Sequence, residues 1–320
     1  MRSLTLLSLS LLALPIHAQT YSDDFSGYPN GPLLPGSGWT AQTGAFQVQS
    51  GRLSATSGST WAYITKDGYQ ATDCVLDGTF YFNAASTVQF AGLTARHSPT
   101  GLVMTKIQNN GGTPDFDRCF AYNQPGSAVF GDIVGGTQAA HCRMVVLDGQ
   151  FTMQVDSDLD GLFDNLSITQ NASFLTAGGI GMNGFQTSEM DDFEFFDAVL
   201  QPAPGASPRI GTRYALELDS TTPTMPFIGM LSGGNTGFPL GDGRKIPLSL
   251  DGLLTSSIGS AGLGFAGLTD AAGDVSTGLP IPSIPSIVGV RLYTSFITID
   301  GVSALGIGNI SNEHGFVIQP

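Results

Sequence analysis

Apolar and polar residues alternate along most of this chain with a period of two, in short runs broken by Gly, Asn, Asp and Pro. Between Asp23 and Val199 the runs are Ala45–Val48, Trp61–Thr65, Val75–Phe82, Val88–Thr94, Val103–Ile107, Phe151–Val155, Leu166–Thr169 and Phe193–Phe196. Alternation sends successive side chains to opposite faces of a pleated strand, so each run predicts a strand with one buried face, and their spacing predicts a sandwich or barrel. No amphipathic stretch of helical length interrupts them.

A second set follows: Tyr214–Leu218, Phe227–Leu231, Ile246–Leu250, Ile287–Ile299 and Phe316–Ile318. In the long Ile287–Ile299 run, Val288, Val290 and Leu292 are expected on one face and Arg291 and Tyr293 on the other. Between the two sets, Gln201-Pro202-Ala203-Pro204-Gly205-Ala206-Ser207-Pro208 offers no core side chain and reads as a stiff linker. The expected organisation is a β-sandwich over residues 19–200, a Pro-rich linker over 201–209 and a smaller β domain over 210–320.

Composition agrees with strands and turns: charged residues are 12% of the chain, with 43 Gly and 18 Pro. A formal net charge of −14 with only 12 Lys and Arg leaves no basic surface for a phosphate backbone or an anionic membrane. Nucleic acid is therefore not an expected partner. Met1 and Arg2 precede the apolar stretch Leu4–Leu14, and Ala18 closes it, so residues 1–18 read as a secretory signal peptide. That stretch is shorter than the roughly 20 residues a membrane helix needs. The chain is expected to be secreted, free or held at a cell surface, without inserting into a membrane.

Cys74, Cys119 and Cys142 all fall in the first half, and an oxidising compartment would permit one disulfide. Cys119–Cys142 is the preferred pairing, since it joins two nearby segments; spacing alone does not fix connectivity. No Cys-x-x-Cys is present, and His97, His141 and His314 are scattered, so zinc is not expected.

The first half opens with Asp23-Asp24-Phe25, passes through Gly38-Trp39 and Gly44-Ala45-Phe46-Gln47-Val48-Gln49-Ser50-Gly51-Arg52-Leu53, and ends with Gly179-Ile180-Gly181 and Asp191-Asp192-Phe193-Glu194-Phe195. That order resembles the concanavalin A-like lectin/glucanase superfamily and its laminin-G-like relatives over residues 21–199. The resemblance implies a jelly-roll sandwich in which first and last strands pair. The second half, through Lys245–Leu250, Leu279–Pro282, Val288–Tyr293 and Gly308–Asn312, resembles a β-sandwich region at the C-termini of predicted secreted bacterial proteins, to which no activity attaches. The fold class expected is thus all-β, a concanavalin A-like jelly-roll sandwich followed by a second, smaller β-sandwich.

Three groups of residues carry candidate chemistry. Asp156-Ser157-Asp158-Leu159-Asp160-Gly161-Leu162-Phe163-Asp164 spaces carboxylates around one glycine, as a loop wrapping a hard divalent cation requires. Asp156, Asp158 and Asp160 would ligate calcium through carboxylates, Leu162 through its carbonyl and Asp164 directly or through water. The flanking runs are strand-like and Ser167 stands where an EF-hand places its bidentate Glu, so the loop is a hairpin and not a helix–loop–helix. Its alternative is a solvated turn.

Glu189-x-Asp191-x-x-Glu194 resembles the catalytic motif of laminarinase-type glycoside hydrolases, which implies Glu189 as nucleophile, Asp191 as helper and Glu194 as acid/base. The motif falls at the end of the domain, and the competing reading is an outer strand with Phe193 and Phe195 packed inward. Among the large amphipathic aromatics Trp39, Trp61, Tyr63, Tyr69, Tyr81 and Tyr122, the pair Trp61 and Tyr63 shares one strand face and suits sugar stacking. Gly262-Leu263-Gly264-Phe265-Ala266-Gly267 matches a dinucleotide fingerprint by letter only, with no helix pattern after it. The leading expectation is non-catalytic binding of a glycan or another extracellular matrix ligand, with structural calcium. The alternatives are a glycoside hydrolase and a purely structural surface protein.

Overall fold

The computed structural model describes residues 20–56, 61–82, 88–109, 115–172, 176–220, 222–258, 265–303 and 305–320. The expected leader at 1–18 and residues 262–264 of the Gly262–Gly267 fingerprint lie outside the described residues. Among the described residues the chain is all-β apart from a short helix, Gly252–Ile258, and a 3-10 turn, Pro285–Ile287.

The first half is a two-layer sandwich. One sheet has nine strands, in the order Leu166–Asn171, Gln150–Asp156, Ala139–Leu147, Cys74–Tyr81, Glu189–Phe196, Arg52–Ala55, Phe46–Gln49, Gly31–Pro32, with Tyr21–Asp23 added against Glu189–Phe196. The other has seven, in the order Ala128–Thr137, Phe116–Gln124, Gly101–Gln108, Phe90–Ser98, Gly178–Phe185, Ala62–Ala71, Trp39–Thr43. The first and last strands of this half pair antiparallel, Tyr21 opposite Phe195 and Asp23 opposite Phe193.

The inward positions of both sheets, among them Leu53, Ile64, Leu76, Phe80, Leu93, Val103, Phe151, Met182, Phe193 and Phe195, form one core. Burying each of the large side chains contributes about 1.5–3 kcal/mol. Asp23 ties the opening segment to it: its carboxylate accepts from Tyr21 Oη at 2.6 Å, Tyr28 Oη at 2.7 Å and Trp39 Nε1 at 2.8 Å. Trp39 is thereby a core residue.

The expected Cys119–Cys142 disulfide is not formed: all three cysteines are buried free thiols. Cys119 lies in the seven-stranded sheet and Cys142 in the nine-stranded one. Both face the core shared by the two sheets, where they pack as separate buried thiols. Burial raises the thiol of Cys74 to about 12 and pushes up those of Cys119 and Cys142 as well.

In the second half, Ala198–Pro202, Arg213–Ser220 and Asp274–Pro280 form a three-stranded sheet. Ala266–Leu268, Pro226–Ser232, Arg291–Ile299, Ile307–Ile310 and His314–Val317 form a five-stranded one. The strand expected over Ile287–Ile299 begins only at Arg291. The 3-10 turn and Gly289, at φ 84°, break the alternation, and Val288 and Val290 are exposed. Likewise Lys245–Ile246 is a strand, but Leu250 is exposed and Asp251 caps the helix, accepting from Leu254 N at 2.7 Å.

The Pro-rich stretch is held in place. Gln201 and Pro202 close the Ala198–Pro202 strand, and Pro208 accepts from Gln319 N at 2.8 Å.

The second half packs on the outer face of the nine-stranded sheet. Outward-facing Arg143 donates to Asp77 Oδ1 at 2.8 Å and Oδ2 at 2.5 Å, and also to the Glu313 carbonyl at 2.7 Å and Glu313 Oε1 at 2.8 Å. All three side chains are buried. Glu194 pairs with Lys245, and Asn312 brackets Leu200 by accepting from its N at 2.8 Å and donating to its O at 3.1 Å.

Candidate functional site

The outer face of the seven-stranded sheet carries an aromatic platform. Ala62 and Ile64 point into the core, so Trp61 and Tyr63 face out, their rings 6.3 Å apart. The register brings in neighbours by the same alternation. Tyr63 stands opposite Asn183, Asn183 opposite Gly92, and Lys106 opposite Phe120, which in turn faces Phe130.

Trp61 meets Phe90 edge-on at 4.7 Å and Tyr122 at 6.1 Å, and Phe90 stacks on Phe185 at 5.0 Å. Lys106 Nζ sits 4.7, 4.6 and 4.4 Å from the ring centroids of Trp61, Phe90 and Phe120. It donates to Gln108 Oε1 at 3.0 Å. Burial lowers the Lys106 ammonium to about 8. Tyr63 also lines a cleft of about 320 Å³ with His97, Pro99, Leu102, Gln124 and Pro125.

Sequence reasoning found Trp61 and Tyr63 but missed Lys106, Phe90, Phe120, Phe130 and Phe185. The outward parity of their strands was the available signal. Of the remaining large aromatics, Tyr122 joins the platform, Tyr69 packs on Tyr21 and Phe195, and Tyr81 lies beneath Arg52 on the opposite sheet.

The acidic loop is a hairpin between Gln150–Asp156 and Leu166–Asn171, with Ser157 N donating to Asn165 Oδ1 at 2.5 Å. One carboxylate oxygen from each of Asp156, Asp158 and Asp160 lies within 4.8 Å of the others. Asp164 is exposed and stands outside that group. Asp156 is buried and accepts from Asp160 N at 3.1 Å and Gly161 N at 2.8 Å. Burial raises its carboxyl to about 6 against those two N–H bonds, and Asp158 adds to the rise.

Gly161 turns the loop at φ 86°, and a Cβ there would come within 2.8 Å of Tyr293 Oη. The second half reaches the loop in two further ways. Arg291 pairs with Asp160 Oδ2 at 2.5 Å, and the Leu162 side chain enters the cluster of Met230, Leu248, Tyr293 and Ile310.

Glu189, Asp191 and Glu194 lie on the Glu189–Phe196 strand, whose register slips between Asp191 and Glu194. Arg52 binds the first two, 3.0 Å from Glu189 Oε2 and 3.8 Å from Asp191 Oδ2. Burial raises Asp191 to about 6. Glu194 pairs instead with Lys245 of the second half. Phe193 and Phe195 are buried.

No protein-family model matches the chain, and no curated protein matches it. Among solved structures, a carbohydrate-binding module CBM66 from Bacillus subtilis overlays at 13% identity, over 49% of this chain and 93% of that one, with a TM-score of 0.39. A Bacillus licheniformis β-glucanase overlays at 12% identity over 55% and 97%, with a TM-score of 0.40. Lectin II from Ulex europaeus does so at 12% identity over 56% and 98%, with a TM-score of 0.38.

Proposed function

We propose that this chain is an exported, non-catalytic carbohydrate-binding protein whose ligand lies on the outer face of the seven-stranded sheet. One observation carries the reading: the partly exposed rings of Trp61, Tyr63 and Tyr122 sit together on a face that no other part of the described chain covers. Rings with an apolar face and a polar edge stack on the apolar faces of sugars. Titration with a panel of oligosaccharides tests this. Saturable binding that falls about tenfold in Trp61→Ala is expected, and a variant that binds as well as the wild type would sink the assignment.

Calcium belongs to the same reading as a structural ion. The donor set of Asp156, Asp158 and Asp160 is all oxygen, which suits a hard divalent cation. Bound there, the ion would neutralise the loop that carries Arg291 and Leu162 contacts to the second half. The glycoside hydrolase alternative is less well supported, because Arg52 pairs with Glu189 and Lys245 with Glu194. Release of reducing sugar from a β-glucan, abolished by Glu189→Gln, would restore it. The structural-protein alternative is left if neither binding nor hydrolysis is measured.

A further inference from the structure

Lys106 is nine-tenths buried in the aromatic platform, yet no carboxylate lies within ion-pair distance of its ammonium among the described residues. A flat stacking surface does not need a cation there. A Met or Leu would fill the same space without the cost of desolvating a charge, which is considerable unless something compensates it. The rings of Trp61, Phe90 and Phe120 compensate in part, since a cation over an aromatic face gains about 0.5–2 kcal/mol. One neutral hydrogen bond, to Gln108, completes the described contacts.

The local charge balance is equally informative. Arg118 and Asp132, at the edge of the same face, pair with each other at 2.9 Å and cancel. Lys106 is thereby left as a cation with no carboxylate partner among the described residues, in a chain whose formal charge is −14. Screening over about 8 Å at physiological salt confines that contrast to ligands in contact with the patch.

We propose that Lys106 determines specificity on this face by selecting glycans that bear an anionic group, a carboxylate or a sulfate ester. The proposal rests on the carbohydrate-binding reading and names its ligand class. The sugar ring stacks on Trp61 and Tyr63, and the anion takes an ammonium N–H donor. Such charge-assisted bonds run at about 2.7–2.9 Å and are roughly twice as strong as neutral ones. No bond is made or broken.

The test uses the whole chain and three probes by calorimetric titration: tetragalacturonate, a sulfated galactan tetrasaccharide and neutral cellotetraose. The expected result is affinity for one or both acidic probes about tenfold or more above the neutral one at pH 7. Which acidic probe binds distinguishes carboxylate from sulfate. Lys106→Met should abolish the preference for the acidic probes, with a melting temperature at or slightly above that of the wild type.

A pH series on the wild-type protein gives an independent reading should that variant not fold. The preference should fade between about pH 7 and pH 10 as the ammonium, lowered to about 8 by burial, loses its proton. Equal affinity for all three probes, or a preference that survives both Lys106→Met and high pH, overturns the proposal while leaving carbohydrate binding intact. Binding of none of the three overturns both.

Discussion

The two sheets of the first half share one core and turn opposite kinds of surface outward. The nine-stranded sheet presents Asp77, Arg143, Glu189, Asp191 and Glu194, and its charges pair with one another or with Glu313 and Lys245 of the second half. The seven-stranded sheet presents rings around the buried Lys106 ammonium, which has no carboxylate partner among the described residues. Charge on the first face is paired within the sheet or with the second half; charge on the second is, under the proposed function, left to a ligand. Of the acidic motif, Glu194 lies at the seam with the second half, while Glu189 and Asp191 pair with Arg52 of their own sheet.

The comparison is broken most severely at Arg143. Arg143→Ala would leave Asp77 and Glu313 buried without a counter-ion, and a loss of about 3–5 kcal/mol is expected in urea unfolding. A loss below about 1 kcal/mol would mean that the seam is solvated and the two faces are not so different.

Calcium addresses the loop at the edge of the covered face. Saturation at a hundredfold excess over Kd should stabilise the protein by about 2.7 kcal/mol, seen as a fall in Tm with EDTA and recovery with calcium. Asp158→Asn should weaken that response. A melt indifferent to both reagents, with no calcium heat on titration, would remove the ion from the account.

Asp191 gives a smaller, pH-dependent effect. Its folded-state carboxyl is raised from 3.8 to about 6 by burial, so the folded form binds a proton more readily than the unfolded one. The resulting stabilisation is complete below about pH 4 and is lost as pH rises through about 6. Asp191→Asn should therefore be more stable than the wild type at pH 7.5 and equal to it near pH 4. Lower stability of the variant at pH 7.5 would show that Asp191 works chiefly as an ion-pair partner of Arg52. The smallest change is expected for Lys106→Met, with a melting temperature at or slightly above that of the wild type, since only an unpaired buried charge is removed.

The strands of the first half were legible because alternation is a local signal. Phe46 and Val48, or Phe151, Met153 and Val155, show in a few residues which face is buried. The hairpin around Asp156–Asp164 was legible for the same reason, with Asp-Gly supplying the turn. The Gly252–Ile258 helix was too short to show a period, and Val288 and Val290 mimic a strand that Gly289 interrupts. Lys106 was hidden inside the apolar run Val103–Ile107: strand parity turns it outward, and the register against Phe120 adds its aromatic setting. The seam was invisible altogether, because Arg143 and Glu313 are 170 residues apart in sequence.

The central claim is that ligand recognition belongs to the aromatic face and not to the acidic strand. Its most direct test is oligosaccharide titration of Trp61→Ala beside Glu189→Gln, with reducing-sugar release followed in the same samples. The expected result is weakened binding in Trp61→Ala, unchanged binding in Glu189→Gln and no sugar release from any form. Intact binding in Trp61→Ala, with loss of binding or of hydrolysis in Glu189→Gln, would contradict it.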